Sequence, residues 1–160
     1  MPLIQSITRS YRSPQVVFRQ MWAAGIAERK TLAMVMGASV AGFIAALPEL
    51  ARRAHLESLD LQQLMGGALM GWIFMAPLMF YCLALILYWI TRPFVKHLTA
   101  AQMRVIVFWS LVVAVPVLLL HGLVAGFIGP SLQKQIIGLL WVLVVLRTCV
   151  AGIRSTKGMD

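Results

Sequence analysis

His55, His97, His121, Cys82 and Cys149 are the side chains of this sequence that could ligate a soft or borderline metal. Ser39 and Ser110 are serines that stand within apolar stretches, where a nucleophile would be conspicuous. The histidines are spaced so that His97 falls on the opposite side of the apolar runs from His55 and His121, and three ligands do not converge. A His55–His121 pair is chemically able to hold a haem, yet histidines at such boundaries are most often plain surface residues. Neither cysteine belongs to a CxxC pair, and a lone thiol within an apolar helix usually packs as a small apolar filler. Neither serine sits in G-x-S-x-G. Lipid-transfer chemistry on metal-bound phosphates needs several carboxylates, and the apolar runs contain none. The same lack argues against proton-coupled transport, which uses intramembrane carboxylates or paired charges. No catalytic residue, metal ligand or cofactor is therefore expected, and the chain reads as non-enzymatic. A small passive transporter or channel is the alternative, because backbone carbonyls at a broken helix can line a path without charged side chains.

The elements that would carry any function are membrane spans. Hydrophobic residues make up 61% of the 160 and charged residues 12%, against roughly a quarter charged in ordinary soluble domains. Uncharged runs cover Thr31–Pro48, Leu61–Thr91 and Val105–Gln133, and a bilayer core needs about 20 helical residues. A fourth run, Gln135 to Ile153, is interrupted by Arg147, whose long side chain can reach nearby headgroups. The expected fold is an all-α, polytopic helix bundle with spans at about 31–49, 64–90, 104–121 and 135–153. It divides as a cytoplasmic basic segment, 1–30, the bundle, 31–153, and a tail, 154–160. Apolar runs before residue 31 are too short and too charged for a cleavable signal.

Net charge is +9, and its distribution follows topology rather than nucleic-acid binding. Arg9, Arg12, Arg19, Arg29 and Lys30 precede the first span. Arg92, Lys96 and Arg104 lie in the second loop, and Arg147, Arg154 and Lys157 lie at the C-terminal end. Only Arg52, Arg53 and Lys134 fall on the other side. The positive-inside rule then puts both termini in the cytoplasm. Basic residues at that surface attract anionic lipid headgroups at about 1 kcal/mol each.

In "SPQVVFRQMWAAG", Ser13 and Pro14 open a helix expected to run to Lys30. Its Phe18, Met21 and Trp22 stripe, with Arg19, Arg29 and Lys30, suits an amphipathic helix in the headgroup plane, touching lipid or a partner. Packing of Phe18, Met21 and Trp22 on the bundle is the other reading. Small residues four apart, Gly37 and Ala41, Gly67 and Gly71, Gly122 and Gly126, are candidate packing seams, with "GGALMG" the foremost. Pro77 and Pro116 are expected kinks. "ELARRAHLESLDLQQ" is expected to form a half-wet outer helix, and "HGLVAGFIGPS" an interfacial or re-entrant return. Trp22, Trp72, Trp89, Trp109 and Trp141 are expected to form an aromatic belt.

Three stretches carry a family resemblance over about residues 13–152. "SPQVVFRQM" looks like a Pro-x-x-x-Phe helix before a first span, "AAQMRVIVFWSLVVAVPVLLL" like a span ending in proline, and "IIGLLWVLVVL" like a closing Ile/Leu-Trp span. Together they resemble the Yip (Ypt-interacting protein) family of multi-span proteins in its short bacterial form. Family members usually have five spans, where four are counted here. The resemblance implies a non-enzymatic membrane organiser, adaptor or accessory subunit of the bacterial inner (plasma) membrane, engaging another membrane protein or its own copies. The Rab-type GTPase partners of eukaryotic members are not carried over, because the long cytoplasmic N-terminal domain is not seen here.

Overall fold

The computed structural model describes residues 3–25, 28–95 and 97–156. Lys96, Lys157 and Asp160 lie outside them. Among the described residues the regular structure is all helical, with no strand: α1 (Leu3–Arg12), α2 (Pro14–Ala23), α3 (Glu28–Glu57), α4 (Leu61–Met70), a π-helical turn (Gly71–Met75), α5 (Ala76–Thr91), α6 (Ala100–Phe127) and α7 (Leu132–Thr156). Four helical stretches are long and apolar enough to cross a membrane: Arg29–Glu57, Leu61–Thr91, Ala100–Phe127 and Leu132–Thr156. The fold is an all-α transmembrane bundle.

Local chemistry starts and stops these helices. The Asp60 carboxylate accepts from the Gln62 N–H at 2.9 Å to cap α4. Thr99 and Gln102 form a reciprocal capping box at the start of α6, which satisfies N–H groups that the helix itself cannot. The left-handed conformation of Ser58, φ 52°, ends α3, and that of Gly129, φ 85°, follows α6. The N–H of Ala76 bonds back to the carbonyl of Gly71, a five-residue step that widens the helix just before Pro77. Proline cannot donate to the preceding turn, and the π turn absorbs its ring.

α6 is the axle. It packs most extensively on α3, then on α7 and α5. In its most apolar stretch 61% of residues are buried inside the bundle, against 11% in Leu61–Thr91. The core is built on Met103, Ile106, Val107, Phe108, Trp109 and Val113 of α6, with Val35 and Ala38 of α3, Ala84 of α5 and Cys149 of α7.

Several expected boundaries move. α3 runs through Pro48 to Glu57, so most of "ELARRAHLESLDLQQ" belongs to the first spanning helix and not to a separate outer helix. "HGLVAGF" is the continuous end of α6, and no re-entrant element interrupts it. The helix opened by Ser13 stops at Ala23, because Gly25 takes φ 61°. Arg29 and Lys30 therefore belong to α3. A further helix, α1, precedes it.

Candidate functional site: the N-terminal hairpin and its recesses

α1 and α2 form a short hairpin against the bundle, and α2 lies on α7. Its apolar face turns inward. Phe18 is fully buried and stacks on Trp22 with ring centroids 6.1 Å apart. Its ring tip reaches Gly152 on α7, where a Cβ would lie 3.0 Å from Phe18 Cζ and 2.8 Å from Ile106 Cγ2. Trp22 donates its indole N–H to Ser155 Oγ at 3.2 Å, and Met21 is half-buried against the core. Of the two readings of this stripe, packing on the bundle describes Phe18, which is enclosed between α6 and α7, while Met21 and Trp22 keep part of their surface open.

α1 is pinned separately. Trp109 donates its indole N–H to Ser10 Oγ at 3.1 Å, and Ser10 in turn donates to the Ser6 carbonyl at 2.8 Å. Tyr11 donates its hydroxyl to the Val113 carbonyl at 2.7 Å. That carbonyl lies next to that of Val112, which loses its helical donor because Pro116 has no N–H. Burial pushes the Tyr11 phenol above its ordinary value. The polar partners that fix the hairpin, Ser10, Tyr11 and Ser155, were not singled out from the sequence. Ile4, Ile7 and Tyr11 do recur at helical spacing and could have marked α1.

The cations expected beside the stripe are spread apart. Arg19 is exposed on α2. Arg29 lines a recess of about 500 Å³ with Trp22, Tyr81, Gln102 and Arg104. Lys30 lines another, about 620 Å³, whose walls include Ile7, Gly37, Ala41, Trp109 and Val115. Gly37 and Ala41 thus border open space and do not form a seam. Gly67 and Gly71 also meet nothing where a Cβ would stand, so "GGALMG" is no seam within this chain. Gly122 and Gly126 are: a Cβ on either would collide with the backbone of Ala45 or with Pro48 of α3. Gly42, under the Trp72 ring, and Gly152 are close-approach glycines that sequence spacing missed.

Of the five tryptophans Trp89 is exposed, Trp22, Trp72 and Trp141 are half-buried and Trp109 is buried. At the far end, Glu49 accepts from Lys134 at 2.6 Å. Arg52 donates to the Gly126 and Phe127 carbonyls at 3.4 and 3.1 Å, a cation on the negative end of α6. Among the described residues no three His, Cys, Asp or Glu side chains gather so as to hold a metal. The recesses offer guanidinium, ammonium, phenol and indole groups, which suit non-covalent recognition.

Compared with protein-family profiles, curated proteins and solved structures, the chain matches none.

Proposed function

We propose that this chain is a non-enzymatic, Yip-like adaptor of a bacterial plasma membrane, with its N-terminus cytoplasmic. It organises a complex by presenting the Leu61–Thr91 helix to a spanning helix of another membrane protein or of its own copy. One observation supports this most. That helix is the least buried of the four, and its glycines Gly66, Gly67 and Gly71 have open space above them. Glycine in a lipid-facing helix lowers helix propensity and gains nothing unless another backbone approaches.

The test is site-specific photo-crosslinking of the full chain in native membranes. A probe at Leu69 or Met70, both exposed beside the glycines, is expected to capture a protein, identified by mass spectrometry. Gly67→Ile and Gly71→Ile should abolish capture while leaving the detergent-solubilised chain as thermally stable as before. Lipid adducts alone, unaltered by either substitution, would remove the adaptor reading.

A further inference from the structure

The turn between α1 and α2 faces α7 across a recess of about 640 Å³, bounded by Arg12, Ser13, Gln15, Leu143, Arg147 and Arg154, among others. Its three arginines are exposed, and none has a hydrogen bond or ion pair among the described residues. The carboxylates of Glu49, Glu57 and Asp60 are placed elsewhere, on Lys134, Arg53 and the start of α4. Gathering three guanidiniums without a counter-charge among the described residues costs repulsion, and a planar fork of donors is the side chain best matched to phosphate oxygens. The first turn of α2 also opens here, and the Ser13 side chain does not cap it. Its positive end thus points to the same space.

The remaining wall is apolar. Leu143, Leu146 and Val150 are exposed on α7, a helix apolar enough to span a membrane, and they continue the surface that acyl chains would cover. Arg147 and Arg154 lie seven residues apart, on one face and about 10 Å along the axis. A phosphate between them would leave its acyl chain running along Leu146 and Leu143 toward the bilayer interior. A free anion would gain nothing from that strip.

We propose that this recess binds an anionic phospholipid, its phosphate held by Arg12, Arg147 and Arg154 and one acyl chain laid along Leu143, Leu146 and Val150. The site stands apart from the Leu61–Thr91 surface and does not rest on the adaptor reading.

The experiment titrates the full chain in non-ionic detergent with phosphatidylglycerol, phosphatidylcholine or inorganic phosphate, reading lipid adducts by native mass spectrometry and thermal stability. Phosphatidylglycerol is expected to bind and stabilise, and the other two are not. Arg12→Gln with Arg147→Gln should weaken that binding about tenfold or more, the scale of losing charge-assisted hydrogen bonds. Arg53→Gln, an exposed cation at the other end of the bundle, should leave it unchanged. Equal retention by all variants, or an equal shift with inorganic phosphate, overturns the proposal. If the double variant does not fold, the unaltered chain is labelled with phosphatidylglycerol carrying a photoactivatable acyl chain. Labelling is expected on Leu143, Leu146 and Val150, and labelling spread evenly around the bundle counts against the site.

Discussion

Tyr11 shows how much one hydroxyl can settle. Its bond to the Val113 carbonyl ties a polar N-terminal helix to the most buried helix, three residues before Pro116. Tyr11→Phe leaves the ring in place and removes the donor, so hairpin docking should weaken by about 1 kcal/mol. Faster hydrogen exchange in residues 3–12, with the spans unchanged, is the readout. The phenol's value is raised above the ordinary 10.0 by burial, so the docked form holds the proton more tightly than the released one. Its contribution is complete below about pH 10 and is lost as pH climbs past the raised value. Exchange in α1 should rise over that alkaline window in the unaltered chain, and the Tyr11→Phe variant should lack that step. Ser39 presents the opposite case. Its hydroxyl is buried without a partner among the described residues, and an unsatisfied buried polar group costs stability. Ser39→Ala should therefore leave melting in detergent unchanged or raise it; a clear fall would point to a hydroxyl bond at that position.

Elements decide which glycines matter. Gly122 and Gly126 let α6 approach the Ala45–Pro48 stretch of α3, and any side chain there meets backbone. Gly122→Val should destabilise the bundle by about 1–3 kcal/mol, the usual cost of overpacking, whereas Gly67→Val should not. Melting of the two variants in the same detergent separates them, and equal losses would contradict the close approach seen here. α2 obeys the same logic. Phe18→Ala removes the ring that fills the gap above Gly152, a change that typically costs about 3–5 kcal/mol in a core. The hairpin should then become susceptible to limited proteolysis around Ser13 while α3 to α7 still insert. An uncut hairpin would mean that Ser10 and Tyr11 hold it without Phe18.

Across the whole molecule, α6 runs parallel to α3 and antiparallel to α5 and α7. Gly122 meets Ala45 of α3, Gly138 of α7 faces His121, and Cys149 of α7 meets Ser110 of α6 at 3.3 Å. With four crossings, reporters placed after Thr156 and after Leu98 should fall on the same side of the membrane, and one placed at Ser58 on the other. Reporters after Thr156 and at Ser58 on one side would refute the four-crossing bundle. The exposed Leu61–Thr91 helix makes the bundle lopsided, with one helix enclosed and one almost wholly presented outward.

The four spans were legible because a bilayer demands long uncharged helices, and composition alone reveals Leu61–Thr91 or Val105–Gln133 whatever their neighbours. Helix punctuation was partly legible: Ser13–Pro14 starts α2, and Gly129–Pro130 follows the end of α6. Pattern could not say which face of an apolar helix meets protein and which meets lipid, because both solvents are apolar and leave the same residue types. "GGALMG" and "HGLVAG" have like spacing, yet only the second lies against a neighbour. The Phe18–Trp22 stripe would look the same facing lipid or the α6–α7 seam, and it is Gly152 and Ser155, distant in sequence, that make room for the Phe18 ring and hold the Trp22 indole. Arg147 alone is a charge in a span; beside Arg12 and Arg154 it becomes part of a recess. That juxtaposition exists only once the hairpin folds back onto α7, since it joins residues more than 130 apart in the chain.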